Sequence, residues 1–326
     1  MALIQDLLKE ISQTNAMAAH AYSGLTKAQI ADLAKLDRTT YTGKVRDVVV
    51  RGDKILMVHS DRLSAFDKMI GMVPYKGTML AAISDYWLKA AKAVVPTHLV
   101  SRPHERVLLC ERTVPFKVEV VVRGYLAGSM MRAYSKGERE FCGAKLPEGL
   151  VDFGPLHSPI ITPTTKAAAF EHDENISPEE LIKRHVVTSA EWREISAMAL
   201  RLFDFGQSTA RDFGWLLVDT KYEFGRDAKG QIMVIDEIHT PDSSRFWVSA
   251  SYASRVAKGE VPDMLDKEVV RRYLIDQGFS GEGPVPQVPI SRLVQLAEVY
   301  LRVAETLAGK PLTSIGPGQS VAIETF

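Results

Sequence analysis

Several features of familiar protein classes are scarce or missing in this sequence. Only two of the 326 residues are cysteine, Cys110 and Cys142, and neither has a cysteine or histidine near it at metal-ligand spacing. A disulfide framework and a zinc site are therefore not expected, and both thiols are interpreted as reduced and structural. No apolar run approaches the roughly 20 residues that span a bilayer, and the first residues lack the basic start of a signal peptide. We expect a cytoplasmic protein.

The sequence also lacks an excess of charge of either sign. Its 40 Lys and Arg residues balance 40 Asp and Glu residues, so no overall field draws the chain to nucleic acid or to a membrane surface. No Walker A motif, GxGxxG fingerprint or internal repeat occurs. With 46% apolar and 25% charged residues, the chain is typical of a soluble globular protein and is long enough for two lobes. Any anion site must come from local clusters.

The order of predicted elements indicates an α+β fold. The first part is rich in β-branched residues, which crowd two arms around a turn at residues 51–53, and it is interpreted as the smaller lobe. Residues 131–163 are rich in Gly and Pro and are predicted to form a long loop or a lobe junction. Helices are predicted near residues 2–13, 26–36, 79–94, 178–185, 189–212, 266–276 and 291–308, and early strands at 44–50, 54–60, 107–110 and 117–122.

The stretch DTKYEFG, residues 219–225, places a charged residue at every second position, which is typical of a strand. Tyr222 and Phe224 then point into an apolar layer. The opposite face carries three charged side chains, those of Asp219, Lys221 and Glu223. A four-residue loop, DAKG, would join this strand to QIMVIDEI and set Lys221 opposite Asp236. A solvated face of an antiparallel sheet is the alternative to a functional site.

Two carboxylates on these neighbouring strands form the predicted metal site. Asp236 directly follows an apolar run at residues 232–235, where a carboxylate is costly unless a cation accompanies it. Glu223 lies on the charged face of the adjoining strand. Because hard oxygen ligands favour magnesium or calcium over zinc, the sequence predicts a divalent metal at Glu223 and Asp236.

Three short segments combine basic side chains with glycine or hydroxyl groups, as expected of anion sites. GKVRD lies at the start of a strand and is suited to cover nucleotide phosphates, and the other two segments each follow a strand. Their residues are Gly43, Lys44 and Arg46 in the first, Arg123 and Ser129 in the second, and Ser243 and Arg245 in the third. Each segment taken alone is also compatible with an ordinary polar turn.

Taken together, these segments resemble one family, the SAICAR synthetases, also called phosphoribosylaminoimidazole-succinocarboxamide synthases. The matching segments run in the family's order from residue 43 to about residue 274, which is most of the chain. They are GKVRD, SDRLSAFD, EVVVRGYLAGS, TPTTKA, HDENIS, LVDTKYEFG, DEIHTPDSSRFW and DKEVVRRYL. SDRLSAFD, VDTKYEFG and PDSSRFW are each far more specific than a generic nucleotide loop.

The resemblance implies an ATP-dependent carbon–nitrogen ligase of purine biosynthesis that uses Mg²⁺. Such an enzyme condenses carboxyaminoimidazole ribonucleotide (CAIR) with L-aspartate to give SAICAR, ADP and phosphate, through an acyl phosphate. The implied fold is α+β, with a small antiparallel β lobe, a larger α+β lobe and an ATP cleft between them. In this chain residues 1–122 would be the ATP-covering lobe with its N-terminal helices, and residues 123–326 would carry the metal and substrate sites.

The resemblance also implies roles for individual residues. Lys221, Asp219 and Glu223 would be catalytic, with either Asp219 or the departing phosphate taking the proton of the amine, and Glu223 and Asp236 would hold Mg²⁺. ATP would be bound by Gly43, Lys44, Arg46, Glu119, Val121 and Lys166. The ribonucleotide and its reacting carboxylate would be bound by Ser64, Asp67, Arg123, Ser129, Asp173, Asp219, Ser243 and Arg245.

A few positions depart from the family pattern, namely Val49, Phe170 and His239, and none of them removes a charge from the motifs. His239 is interpreted as a partly exposed histidine at a strand end rather than as a catalytic base. A small-molecule kinase on a related scaffold and a catalytically silent nucleotide-binding protein are the alternatives, which aspartate-dependent release of ADP would separate from a ligase. Either a monomer or a homodimer fits the sequence.

Overall fold

The computed structural model describes residues 4–14, 21–36, 38–166 and 174–312. The helices of this part of the chain are α1 Ile4–Thr14, α2 Lys27–Lys35, α3 Lys76–Ala91, α4 Gly128–Ser135, α5 Pro178–Lys183, α6 Ser189–Asp212, α7 Ser249–Ala257, α8 Glu268–Asp276 and α9 Ile290–Ala308. The predicted helices are confirmed with ends shifted by a few residues. Helix α6 begins with the capping box that Thr188 and Glu191 predict: Thr188 Oγ1 accepts from the Glu191 backbone N–H at 3.2 Å, and Glu191 accepts from the Thr188 N–H at 2.7 Å.

The strands correct one expectation from the sequence. They are β1 Thr40–Thr42, β2 Arg46–Arg51, β3 Lys54–His59, β4 Arg62–Ala65, β5 Lys68–Met72, β6 Leu99–His104, β7 Val107–Glu111, β8 Val114–Tyr125, β9 Glu140–Phe141, β10 Ala144–Lys145, β11 Pro155–Thr165, β12 Trp215–Arg226, β13 Ile232–Ile235 and β14 Ser244–Val248. The predicted long loop at 131–163 is wrong, because this segment contains the end of α4, a small hairpin and most of β11. Its prolines are accommodated because β11 is the edge strand of this sheet, with β8 as its partner strand. On its other side, within the described residues, only the end of β11 is bridged, by Asn175, and the Pro163 carbonyl accepts from the Ile176 N–H at 3.1 Å, a bond that needs no proline N–H.

Contacts divide the chain into two compact units, each built from separate segments. Unit 1 takes the described residues of Met1–Trp87, Leu99–Arg112 and Asp266–Phe326, and unit 2 takes those of Leu88–His98 and Thr113–Leu265. This division differs from a single boundary after residue 122. Strand β8 pairs along most of its length with β11 and β12, which brings residues 114–122 into unit 2, while α9 packs on α1 in unit 1. The functional roles predicted for the two parts stay a prediction.

Unit 1 is built around an antiparallel sheet of order β1-β2-β3-β7-β6, with β4 and β5 as a separate hairpin. Alternate residues of the central strands enter a core that also receives Tyr22 and Leu33. Val49, Leu56, Val58 and Val107 complete this cluster, and all four are fully buried. The sheet therefore holds the GKVRD segment, where β2 begins, on a packed support.

Unit 2 is built around an antiparallel sheet of order β11-β8-β12-β13, in which β14 also pairs with β12. Strands β13 and β14 share one edge of β12: β13 pairs with residues 223–226 and β14 with residues 215–220. Helix α6 packs on β12 and β8, and its apolar face includes Phe203 and Gly206. The connection between β13 and β14, residues 236–243, therefore leaves the sheet beside the middle of β12. The fold class is α+β with antiparallel sheets, as expected.

Within the described ranges, no helix is long and apolar enough to cross a membrane.

Candidate functional site

The charged residues of DTKYEFG lie in the middle of the unit 2 sheet. Residues directly opposite each other in an antiparallel pair share a face, and the register of β12 with β8 opposes Asp219 to Arg123, Lys221 to Val121 and Glu223 to Glu119. These six side chains, together with Arg245, which β14 sets opposite Asp219, define what we call the charged face. Tyr222 and Phe224 are fully buried on the opposite side, so the predicted alternation is confirmed.

A carboxylate–lysine cluster occupies one end of the charged face. Lys221 Nζ donates to Glu119 Oε1 at 2.6 Å and to Glu223 Oε1 at 2.8 Å. The second carboxylate oxygen of Glu223 accepts a hydrogen bond from Nζ of Lys166, the residue that directly follows β11. The Glu223 side chain is only 9% exposed. Two ammonium groups and two carboxylates are thus interlocked on neighbouring strands.

Electrostatic interactions hold two residues of this cluster, Lys221 and Glu223, in their charged forms. Burial opposes the charge on Lys221, but the carboxylates of Glu223, Glu119 and Asp236 outweigh it and raise the lysine pKa above its ordinary value. Burial likewise opposes the charge on Glu223, and Lys221 and Lys166 outweigh it and lower the Glu223 pKa. Lys221 and Glu223 therefore both stay charged at neutral pH.

The predicted pairing of Lys221 with Asp236 is wrong by one position. Glu223 pairs with Ile235 and Arg226 with Ile232, so the loop has five residues rather than four. The extra residue arises because Asp227 Oδ1 accepts the backbone N–H groups of Lys229 and Gln231, which draws Gln231 into the turn. Asp236 comes after β13 ends and adopts a left-handed backbone with φ of 64°. Its negative field still reaches Lys221.

The acidic residues of the carboxylate–lysine cluster fit a magnesium ion that takes most of its ligands from nucleotide phosphates and water. No group of three or more His, Cys, Asp or Glu side chains spaced for a metal occurs among the described residues. Glu223 and Asp236 offer hard oxygen donors around one ammonium group, and Mg²⁺ in nucleotide enzymes is commonly held by one or two carboxylates plus phosphate oxygens and water. The donor set fits a nucleotide-bound Mg²⁺ and does not fit a metal held by protein ligands alone.

A pair of arginines occupies the other end of the charged face. Asp219 Oδ2 accepts from Arg123 at 3.0 Å and from Arg245 at 2.7 Å, and Asp219 is 3% exposed. Arg123 also donates to Thr162 Oγ1 at 2.9 Å and to Ser129 Oγ at 3.2 Å. One carboxylate oxygen therefore fixes two guanidinium groups side by side, and the hydroxyl partners set the orientation of the buried one.

Gly128 explains how the second arginine reaches this position. A Cβ atom at residue 128 would lie 2.7 Å from both terminal nitrogens of Arg245, and the residue adopts φ of 59°, where glycine is favoured. The guanidinium group thus lies against the backbone at the start of α4. Helix starts carry unpaired N–H groups, so two arginines, Ser129 and this helix end together suit a phosphate. The turn residue Ser243 is tied to the same region, because its carbonyl accepts from the Lys221 backbone N–H at 2.9 Å.

The GKVRD segment of unit 1 is a tight turn held by charged residues of the same motifs. The Gly43 N–H donates to the Arg46 carbonyl at 2.8 Å, and a Cβ at residue 43 would lie 2.9 Å from that oxygen. Arg62 donates to the Gly43 and Lys44 carbonyls at 3.0 and 3.3 Å, and its guanidinium is fixed by Asp47 at 2.7 Å. The Arg and Asp of these motifs therefore shape the turn, and they leave the Lys44 side chain more than half exposed.

The other predicted site residues are distributed between the units. Ser64 lies on β4, and Asp67 lies in the tight turn to β5 and pairs with Lys44 at 2.7 Å, all in unit 1. The SDRLSAFD segment around them is therefore largely a β-hairpin. Asp173 lies outside the described residues. Glu119 and Val121 lie in a strand paired on both sides, so their side chains rather than their backbone are presented to the charged face.

Three structural roles were missed by sequence reasoning. Thr162 contacts Arg123, yet it lies in a segment predicted as loop, so its partner strand was not foreseen. Asp47 and Arg62 shape the GKVRD turn, which a motif match alone does not reveal. His239 is fully buried rather than partly exposed, and its Nε2 lies 2.6 Å from the Tyr222 hydroxyl. The family departure at position 239 was the available signal.

The α+β fold carries two groups suited to phosphates. The carboxylate–lysine cluster suits a metal-bound triphosphate, and the arginine pair suits a second phosphate. This combination is typical of a nucleotide-dependent enzyme. The family model described as SAICAR synthetase matches residues 39–287. The chain belongs to the SAICAR synthetase family, as the motifs predicted, and is thus a ligase of purine biosynthesis.

Individual relatives agree with this assignment. The chain is 44% identical over 275 residues to the phosphoribosylaminoimidazole-succinocarboxamide synthase of Legionella pneumophila (strain Lens), covering 83% of this chain and 88% of the relative. Among solved structures, the SAICAR synthase from Saccharomyces cerevisiae complexed with SAICAR matches with a TM-score of 0.73 and 32% identity, covering 85% of this chain and 97% of that one. A type-2 SAICAR synthetase in complex with ADP matches with a TM-score of 0.66 and 26% identity, over 85% and 100% of the two chains.

Proposed function

We propose that this chain condenses CAIR with L-aspartate, using ATP and Mg²⁺, to give SAICAR, ADP and phosphate. The observation that carries the proposal is the charged face of unit 2, where a carboxylate–lysine cluster and an arginine pair lie at the two ends of the paired segments of β8 and β12. Lys166, directly after β11, completes the first group, and Arg245 of β14 completes the second. The solved relatives complexed with SAICAR and with ADP support the proposal, because both molecules are products of this reaction. We further propose that each end of this face binds one phosphorylated substrate.

The carboxylate–lysine cluster would bind the triphosphate end of ATP. Glu223 and Asp236 would hold Mg²⁺, which when bound neutralises phosphate charge and polarises the γ-phosphoryl group. Lys166 and Lys221 bind the Glu223 carboxylate in this structure. When a cation takes that carboxylate, both ammonium groups would turn to phosphate oxygens. Glu119 keeps one hydrogen bond on Lys221 and so limits where its ammonium group can go.

The arginine pair would bind the phosphate of the ribonucleotide. Arg123 and Arg245 lie against the start of α4, and Ser129 adds a hydroxyl group. Asp219 accepts from both arginines through one oxygen, an arrangement that suits a positioning role. We therefore assign the proton of the attacking amine to the oxygens of the departing phosphate rather than to Asp219.

The reaction needs this density of positive charge. A carboxylate is a poor electrophile, so its oxygen would first attack the γ-phosphorus, forming an acyl phosphate and releasing ADP. The aspartate amine would then attack the acyl carbon and release phosphate. Each close pair of anions in this assembly costs on the order of 4 kcal/mol at about 4 Å with an effective dielectric near 20. Lysines, arginines and Mg²⁺ offset that repulsion.

The turn of unit 1 would cover the ATP phosphates. Gly43 permits the tight turn, Lys44 presents an exposed ammonium group, and Arg46 begins β2. Asp67 pairs with Lys44 in this structure, and with Ser64 it is proposed to meet the ribonucleotide base and its reacting carboxylate. A cytoplasmic location and a monomeric or homodimeric state stay predictions.

A coupled assay of ADP release with ATP, Mg²⁺, CAIR and L-aspartate tests the proposal. We expect release of ADP that requires both CAIR and aspartate, together with the succinocarboxamide product detected by mass. Release that needs CAIR or another acceptor but ignores aspartate would instead indicate a kinase. Absence of any turnover with all four components would contradict the ligase assignment for this chain.

A further inference from the structure

The rear side of β12, opposite its charged face, carries two buried polar side chains. Ser244 Oγ donates to Thr220 Oγ1 at 2.7 Å, and the Tyr222 hydroxyl lies 2.6 Å from His239 Nε2. Tyr222 and His239 have no exposed surface, and their rings meet edge to face at 5.5 Å. Most buried polar groups in proteins are hydrogen-bonded, so these two contacts reduce the cost of placing polar side chains in this apolar layer.

The structure around His239 is shaped to receive an imidazole ring. A Cβ at Gly206 of α6 would lie 2.5 Å from His239 Cε1 and 2.7 Å from Leu217 Cδ2, so the helix passes the ring closely only because residue 206 has no side chain. His239 itself adopts φ of 53°. Burial lowers the His239 pKa to about 3, so the ring is neutral. Either neutral tautomer completes the hydrogen bond with the Tyr222 hydroxyl.

His239 belongs to the connection that runs between the two ends of the charged face. This connection, residues 236–243, begins with Asp236 and ends directly before β14, which carries Arg245. Asp236 and His239 both have left-handed backbones, which non-glycine residues adopt only when surrounding contacts impose them. Contacts that anchor it include the bond from the Lys221 N–H to the Ser243 carbonyl at 2.9 Å, the contact of His98 Nε2 with the Asp236 carbonyl at 3.2 Å, and the Tyr222–His239 pair.

We propose that Tyr222 and His239 form a positioning pair that fixes the path of residues 236–243 and thereby places Asp236 and Arg245 relative to Lys221 and Glu223. Tyr222 is well placed for this role because it lies between Lys221 and Glu223 on the same strand, and a shift of its ring moves the backbone of both. The pair touches no substrate and acts through other residues. The inference rests on the function proposed above.

The pair should be tested by removing either side of its hydrogen bond. Tyr222→Phe leaves the imidazole nitrogen without its partner, and His239→Leu removes the ring and leaves the hydroxyl group without its partner. We expect each change to lower kcat/KM for CAIR by roughly tenfold to a hundredfold, because small misplacements of charged groups have effects of that size. Since both changes break one contact, the double variant should lose no more than the worse single variant.

Two further variants keep the test decisive if either of these folds poorly. Gly206→Ala retains both polar groups but pushes the imidazole from its place, so it should reproduce the kinetic loss. His239→Gln offers an amide in place of Nε2 and should recover more of kcat/KM than His239→Leu does. Tyr252→Phe is the control, because its hydroxyl donates to the Phe153 carbonyl at 2.8 Å, which lies outside the 236–243 connection.

Kinetics, CAIR binding by calorimetry without ATP, and the melting temperature should be measured on each variant. Weaker CAIR binding and lower kcat/KM in the Tyr222 and His239 variants, but not in Tyr252→Phe, would support the positioning role. The positioning role would be overturned if the melting temperature fell while kcat, the KM values for CAIR and ATP, and CAIR binding all stayed within about twofold of the wild-type values. The pair would then be an ordinary core contact. An inactive wild-type chain would instead contradict the proposed ligase function, and CAIR binding would still report on the pair.

Discussion

The two units use the charged residues of their motifs differently. In unit 2 the charged side chains of β8 and β12 bond mainly to each other and converge on one face, with Glu223 and Asp219 largely buried. In unit 1 the buried acids bond to arginines and also to backbone N–H groups: Asp61 binds Arg106 at 2.7 Å and accepts from the Gly77 N–H at 2.8 Å. In unit 1 most of the charged motif residues thus stabilise the backbone conformation, whereas in unit 2 they lie together on a face suited to ligands.

A charged residue in a family motif therefore need not contact a ligand. Asp61 belongs to SDRLSAFD, one of the three most specific segments, and Asp47 belongs to GKVRD, yet each fixes an arginine that braces a turn or strand end. In GKVRD the residue left exposed is Lys44, whose pair with Asp67 lies at the surface. Substitutions in the two units should therefore fail in different ways, one in turnover and the other in stability.

The largest effect is expected from Glu223→Gln. Removing this charge takes away a proposed Mg²⁺ ligand and leaves Lys166 and Lys221 with one carboxylate fewer, so kcat should fall by at least about a hundredfold. CAIR binding, measured by calorimetry, should weaken only modestly. Glu148→Gln, which alters an exposed pair with Arg139, is the control and should leave kcat unchanged. Full Mg²⁺-dependent turnover in Glu223→Gln would refute the metal assignment.

A loss of stability rather than chemistry is expected from Asp61→Asn in unit 1. The change leaves the buried Arg106 guanidinium without a charged partner, and breaking a buried pair in this way costs about 3–5 kcal/mol. Urea unfolding followed by circular dichroism should show a lower midpoint. The exposed pair of Asp53 and Lys54 supplies the contrast, since Asp53→Asn should leave the midpoint almost unchanged. Equal midpoints for both variants would contradict the structural role of Asp61.

A selective effect on one substrate is expected from Arg245→Ala. Loss of one charge-assisted contact to the ribonucleotide phosphate should raise the KM for CAIR by roughly tenfold to a hundredfold and leave the KM for ATP close to its wild-type value. Steady-state kinetics with each substrate varied in turn provide the measurement. A change in the KM for ATP alone would contradict the proposal that Arg245 binds the ribonucleotide phosphate.

The smallest change in stability is expected from Lys44→Ala. Its pair with Asp67 is about half exposed on both sides, and such pairs contribute less than about 1 kcal/mol. The free energy of unfolding should therefore change little, while the KM for ATP should rise if Lys44 contacts phosphate. An unaltered ATP constant would leave Lys44 as an ordinary surface residue and confine phosphate binding to unit 2.

Much of the secondary structure followed from local patterns. The period of apolar residues and the capping box predicted α6 at its observed bounds, and the alternation of DTKYEFG predicted which side chains share a face. The segment 131–163 defeated the same reasoning, because its many glycines and prolines indicate breaks, whereas β11 is stabilised by pairing with the distant β8. The register of β13 was missed by one residue because hydrogen bonds of the Asp227 side chain decide the length of the turn.

The sequence by itself determined the family, the α+β class and the residue types that a ligase of anionic substrates requires, because these are carried by short segments and by local periodicity. Only the tertiary structure decided which acids meet which cations, since that depends on strand register and on partners more than a hundred residues apart, such as Lys221 and Glu119. It also decided that His239 is buried against Gly206 and Tyr222, a contact between three elements that no local pattern encodes.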